Sequence, residues 1–428
     1  MIYANAFSGA NDNEIIENAL KALDDDRTLV ITPRVSDTGP ERSCWLLERA
    51  VLIPENTTVI LRNCTVKLSD RCRDNFFRSA NCGMGIADPE RIRNIHLRGE
   101  GVSTLIGADR PRATGDSSKL LADPCPYEVE DLCRIAPWIP EERRTPQTIA
   151  FWDRHDHSFG TDIHDPNESH YGDWRGIGVL FANVEDFSIS GLRIVDSHGW
   201  GISLEACANG RVEKIDFDAC MSKEIGGMRM NMENQDGIDL RNGCHHIVIS
   251  DITGHTGDDI VALTAIAGDD VRPGGSLRST HVMHSDWSRR ERDIHDVVIR
   301  NVVGYSQLCI LVRLLACNTH IYNVVIDGVV DTVPADIRHH SAVLIGQADS
   351  EYGKNLPDGV RNVTISNVIS RGEQCIVVGG YLMDSVITNV INTNPDSPVI
   401  RVERENGMVN VTTAALCTAG SALIEQVK

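Results

Sequence analysis

Short strand-like runs recur along this chain, each too brief to build a core alone. From about residue 93 a first type carries Asn or Asp: Arg93-Asn-Ile-His-Leu, Glu185-Asp-Phe-Ser-Ile, His246-Ile-Val-Ile-Ser, Asp296-Val-Val-Ile-Arg, Arg361-Asn-Val-Thr-Ile and Asp384-Ser-Val-Ile-Thr. A second, aliphatic type follows after a turn: Gly201-Ile-Ser-Leu-Glu, Gly237-Ile-Asp-Leu-Arg, Ile260-Val-Ala-Leu, Cys309-Ile-Leu-Val-Arg, Ala342-Val-Leu-Ile-Gly, Cys375-Ile-Val-Val-Gly and Val399-Ile-Arg-Val-Glu. Runs of this length bury a core only by pairing with the equivalent run of the next repeat, about 4.8 Å away. The pattern therefore predicts one all-β domain over residues 1–428, a right-handed parallel β-helix. An open leucine-rich solenoid fits less well, because strands and not leucines at helical offsets define the repeat.

One segment departs from strand periodicity. Asn13-Glu-Ile-Ile-Glu-Asn-Ala-Leu-Lys-Ala-Leu has helical spacing and is expected, within about residues 10–24, to cap the open N-terminal end. Residues 110–174 and 266–293 break the repeat. They read as inserted loops, which in repeat proteins gather on one face.

Composition excludes several partners. The formal net charge of −20 argues against a nucleic-acid backbone or an anionic membrane surface. No stretch approaches the roughly 18–20 apolar residues of a membrane span. The 13 cysteines are odd in number and form no Cys-x-x-Cys pair. They read as reduced, buried thiols, and with the absence of a signal-like N-terminus they lead to the expectation of a cytoplasmic protein. The segment Phe151–His170 is rich in histidine and aspartate but lacks a zinc spacing, so neither a metal nor another cofactor is expected. The oligomeric state is not legible.

The chemistry concentrates in two turns one repeat apart. Asn234-Gln-Asp-Gly-Ile-Asp-Leu and Thr256-Gly-Asp-Asp-Ile-Val-Ala-Leu each place carboxylates just before a core strand. Stacking brings Asp236 toward Asp258 and Asp259, where mutual repulsion raises at least one pKa. A raised carboxyl can donate a proton while an ionised neighbour activates water. Inverting glycoside hydrolysis needs those groups about 6.5–9.5 Å apart, a spacing neighbouring coils can supply. Asp-Gly is also an ordinary turn, and clustered carboxylates also suit Ca²⁺.

At these motifs the chain resembles the polygalacturonase-like glycoside hydrolases of family 28, in the pectin-lyase-like superfamily. The resemblance runs over roughly residues 1–330. It includes Ala6-Phe-Ser-Gly-Ala-Asn-Asp-Asn-Glu, the run Val195-Asp-Ser-His-Gly-Trp, Asn234-Gln-Asp-Gly with one substitution, and Gly257-Asp-Asp unchanged. The resemblance implies Asp258 as general acid, Asp236 and Asp259 as holders of the hydrolytic water, Asn234 as an orienting residue and Trp200 as a packing or sugar-stacking residue. The family's Gly-His-Gly is replaced by Gly304-Tyr-Ser-Gln-Leu-Cys, and its Arg-Ile-Lys by Arg338-His-His-Ser. The implied activity is inverting, exo-acting glycosidic hydrolysis of a short oligosaccharide, and the implied partner is an oligosaccharide or polysaccharide substrate.

Alternation, with Ile310 and Val312 inward, turns Arg313 outward near the site, and likewise Ser203, Glu205, Asp239 and Arg241. These join His255, His281 and His284 as candidate substrate contacts. Two other readings stand beside hydrolysis: a Ca²⁺-dependent lyase or epimerase with Arg313 as base, and a non-catalytic carbohydrate-binding solenoid.

Overall fold

The structure, a computed structural model, describes all residues except 36–43, 71, 73, 84, 85, 87, 110–172, 226–227, 233, 268–279, 284–288, 338, 348–352, 421 and 428. The chain winds as a right-handed parallel β-helix. Its coils stack two large parallel sheets, one of 15 strands and one of 11. The 11-stranded sheet holds the short aliphatic runs in strict register. Ile202 pairs with Ile238, Ile238 with Val261, Val261 with Val312 and Val312 with Val343.

The 15-stranded sheet shows what the sequence left partly hidden. Its strands reach 11–13 residues, as in His245–Thr256 and Ile294–Ser306, with His245–Thr256 itself 12 residues long. Each is bent twice by residues in the left-handed region, five positions apart: Asn209 and Lys214, His246 and Asp251, Asp296 and Asn301, Asn362 and Asn367, Asp384 and Asn389. Asn and Asp tolerate positive φ because their short polar side chains bond locally. Bending a strand this way lets one continuous segment wrap the core. The kinks stack into ladders: Asn301 Nδ2 donates to Asp251 Oδ1 (2.9 Å), Asn323 to Asp296 (2.9 Å) and Asn367 to Asp327 (2.6 Å).

Between the sheets lies one continuous aliphatic core, in which Ile249, Ile299, Ile326, Ile365 and Ile387 follow one another coil by coil. The expected cap is the helix Asp12–Lys21. Asn11 accepts from Glu14 N (3.0 Å), Glu14 returns a bond to Ala10 N (2.8 Å), and Ile15, Ile16, Ala19 and Leu20 close the core's end. The insertion at 110–174 falls almost wholly outside the described residues. Every cysteine among the described residues is free, and no helix among them is long and apolar enough to cross a membrane.

The kinks give a stability test. Asn367→Gly keeps positive φ and loses the ladder bonds to Asp327 and from Asn389, at about 1 kcal/mol each. Asn367→Ala also meets the left-handed penalty of roughly 1–2 kcal/mol. Thermal melting should rank wild type above the glycine variant and the glycine variant above alanine; equal melting of the two variants would refute a conformational role for the kink.

Candidate active site

Parallel register brings the two aspartate turns together. Asp236 and Asp259 each stand two residues before the paired Ile238 and Val261, so they occupy equivalent places on adjacent coils. Gly237 N donates to Asp259 O (2.8 Å). A Cβ at Gly237 would collide with the Ile260 carbonyl, so glycine permits the close approach at this point. Asn234 opens its turn with φ 52°. Gln235 ties the turns together: its carbonyl accepts from Gly257 N (3.0 Å) and Asp258 N (3.3 Å), while its side chain donates to Ser197 O (2.8 Å) and accepts from Met221 N (3.0 Å).

Asp239 joins the group from the outer face of its strand. Asp236, Asp239 and Asp259 are buried and Asp258 is half-buried. Arg313, whose residue pairs with Ala262 on the neighbouring strand, reaches Asp259 Oδ2 with Nη1 at 3.4 Å. It also donates to the Gln347 side chain. Asp259 Oδ1 accepts from Ile310 N (3.1 Å), and Asp259 N donates to Asp258 Oδ1 (3.0 Å). The Cys309 thiol completes the cluster, with ligand-type atoms of Asp258, Asp259 and Cys309 all within 4.8 Å of one another.

Burial in this carboxylate-rich patch decides its protonation. Burial, then the Asp258 charge, pushes Asp236 well above the usual carboxylate range. Burial does the same to Asp239, opposed by Arg241. Asp259 is raised to about 7, first by burial, with the Arg313 guanidinium holding it back. Burial and the nearby carboxylates push the Cys309 thiol upward. Asp236 Oδ1, Asp239 Oδ2 and Arg313 Nε are buried without a hydrogen-bond partner. Three orphaned polar atoms in one cluster are costly unless something polar meets them.

The expected periphery divides. Arg313 and Asp239 lie in the cluster. Glu205 and Arg241 point outward as alternation requires, yet a strap over residues 280–283 covers them. Glu205 accepts from Val282 N (2.8 Å) and Met283 N (3.2 Å) and meets His281 Nδ1 at 2.9 Å. Arg241 donates to Thr280 Oγ1 (2.9 Å) and contacts His281 Nε2 at 2.6 Å. Trp200 is buried beneath the Arg241 guanidinium, 4.6 Å from its ring centroid. These three therefore hold the strap in place of facing a ligand directly. Ser203 is buried next to Asp239 in strand register.

His255 lies on the other sheet, stacked on Tyr305 at 5.0 Å and 3.6 Å from Asp218. His284 is outside the described residues. Strict alternation also fails at the start of the strand that carries Arg313. Ile310 packs outward with Leu344 and Val377, whereas Leu311 and Val312 both enter the core. Its N–H is bonded to Asp259, so the backbone turns before the regular strand begins. Gln235, Gln347 and Cys309 were not among the expected site residues; only the coil register reveals them.

Both flanks of the cluster are covered. Toward the N-terminal coils, Cys82, Trp174, Ile177, Leu180, Ala182, Trp200 and Val282 form an apolar patch on the sheet's outer face. Toward the C-terminal coils, Ile310, Leu344 and Val377 form another. The aspartates thus lie between two stretches of that face whose side chains are buried.

Residues 173–272, which contain both aspartate turns, match the family model described as Glycosyl hydrolases family 28. No curated protein matches the chain. Among solved structures, it is similar to the family 28 exopolygalacturonase of Yersinia enterocolitica, at 12% identity and a TM-score of 0.53, covering 100% of this chain and 77% of that one. It is also similar to the tailspike protein of E. coli bacteriophage HK620, at 11% identity and a TM-score of 0.50, covering 99% of this chain and 64% of that one. Over the coils that carry its aspartates the chain is similar to the glycosyl hydrolases of family 28, and the solved structures share its fold.

The raised carboxyls set a sign for stability. A group whose folded pKa exceeds its unfolded value near 3.9 stabilises fully below that value and loses its contribution as pH rises through the folded pKa. For Asp259 that loss begins near pH 4 and is complete at about pH 7. Asp236→Asn removes a buried carboxyl with an orphaned oxygen. Its melting temperature should exceed wild type at pH 8 by several degrees, with the gap closing toward pH 5. A gap independent of pH would show that Asp236 is not raised.

Proposed function

We propose that this protein is an inverting glycoside hydrolase that removes units from one end of an oligosaccharide. The observation that carries this reading is the cluster of Asp236, Asp239, Asp258 and Asp259 around Arg313, with three buried polar atoms unpartnered. Sugar hydroxyls and a hydrolytic water offer the donors and acceptors those atoms need. The family 28 match over the same coils supports the reaction class.

The half-buried Asp258 faces the leaving-group oxygen and donates its proton. Asp259, and Asp236 opposite it, hold the water; Asp259 takes up its proton as the water attacks the anomeric carbon from the far side. The carbon–oxygen bond breaks, the leaving group departs as an alcohol, and the anomer inverts. In the free protein the cluster's protons favour the buried Asp236 and Asp259. Arg313 keeps Asp259 ionisable near neutral pH. The covered flanks support action at a chain end rather than along an open groove.

Asp258→Asn should lower kcat by at least about a hundredfold on any accepted glycoside, with little change in KM. Product followed by NMR should appear first as the opposite anomer; retained configuration, or full turnover without Asp258, would overturn the reading. Because Asp259 must be ionised, kcat/KM should rise with pH through about 7. Arg313→Gln should move that limb upward, since the guanidinium opposes protonation. An unmoved limb would remove Asp259 from the role of base.

A further inference from the structure

The first left-handed kink of each long strand forms a row across the coils. Asn94, Asp186, Asn209, Asp296, Asn323, Asn362, Asp384 and Asn410 occupy it, at φ 48–60°. Register places His246 in the same row, between Asn209 and Asp296. Among the described residues it is the one member that is neither Asn nor Asp. It brings an imidazole, a metal-capable nitrogen donor, to a row otherwise built of oxygen-bearing side chains.

We propose that His246, His295 and Asp296 bind a divalent transition-metal ion, with zinc as the best fit. One ligand-type atom from each lies within 4.8 Å of the others. Asp296 Oδ2 is 2.7 Å from His295 Nδ1 and 3.7 Å from His246 Nε2. Small side-chain shifts bring all three to the roughly 2.0–2.2 Å bonds that zinc makes with imidazole and carboxylate. Two imidazoles and one carboxylate favour zinc, nickel or copper over magnesium or calcium, which prefer oxygen alone.

The surroundings prepare these ligands. Asn323 Nδ2 donates to Asp296 Oδ1 (2.9 Å), leaving Oδ2 toward the histidines. His245 Nδ1 lies 2.8 Å from His246 Nδ1. With His246 donating that proton, its Nε2 lone pair is directed to the metal, the tautomer a ligand needs. The His295 ring is stacked between His245 at 5.0 Å and Tyr322 at 4.9 Å, nearly parallel to both. That packing fixes its plane. Three protein ligands leave a fourth position for water.

The position suggests what the ion does. His246 and the pair His295 and Asp296 lie on adjacent strands of one sheet, while the chain between them carries the strap residues that rest on Glu205 and Arg241. A metal bridging the two strands closes that excursion at its base, as a covalent staple would.

The test uses the full chain, treated with chelator and dialysed, then titrated with ZnCl₂ by calorimetry and with Co²⁺ as a visible spectroscopic probe. One equivalent should bind, with d–d bands of a low-coordinate nitrogen–oxygen site and a melting temperature that rises with zinc. His246→Asn and Asp296→Asn each install a residue native to the row. Both should fold with metal-free melting close to wild type, lose at least about tenfold in affinity and lose the zinc-dependent rise. Cys309→Ser should bind as wild type does. No binding by wild type at roughly 1 mM metal, far weaker than structural sites hold, would overturn the proposal. So would undiminished affinity in both row variants, or binding abolished by Cys309→Ser alone, which would place the ion among the site aspartates.

Discussion

Hydrogen bonding between one coil and the next is the interaction on which the remaining structure depends. Among the described residues no strand of either large sheet has a partner within its own coil; Ile238 is paired by Ile202 below and Val261 above. The same pairing that satisfies the backbone stacks the aliphatic core and sets every side chain's neighbours. A residue two before Ile238 must lie beside the residue two before Val261. The acidic cluster is therefore a consequence of register, and a slip of one residue would turn it away from its partner.

Stacking also explains why the site is costly to maintain. Parallel coils bring like residues together, which is favourable for isoleucine and for asparagine ladders but not for carboxylates. The kink row resolves this by alternating donors with acceptors, as Asn323 does with Asp296. The aspartate cluster does not. It has one guanidinium bonded to it, Arg313, and two buried carboxylate oxygens without partners, on Asp236 and Asp239. Stored electrostatic repulsion of this kind is what distinguishes chemistry-bearing positions from structural ones on an otherwise consistent scaffold.

The strap shows how outward-facing residues are put to different uses along one face. Asp239 and Arg241 lie on the same strand, two residues apart, and both point out. Asp239 meets the acidic cluster, whereas Arg241 and Glu205 anchor residues 280–283. Alternation is a rule about faces and says nothing about what arrives to cover them. His281 was legible as a loop histidine near the site, but its partner Glu205 lies 76 residues earlier, and only packing reveals the pair.

Much of the architecture was legible without coordinates. Period-two runs separated by turns, an amphipathic segment at Asn13–Leu23 and two interruptions of the repeat already imply a capped β-helix, because no other arrangement buries strands so short. The adjacency of Asp236 to Asp258 and Asp259 followed from one repeat of spacing. Tertiary structure decided what depends on the exact register and on long insertions: the outward turn of Ile310, the coverage of Trp200, Glu205 and Arg241, and the entry of Cys309 and Gln347 into the site. It also decided the meeting of His246 with His295 and Asp296, which no local motif announces, because their proximity is created by strand pairing across an insertion rather than by spacing along the chain.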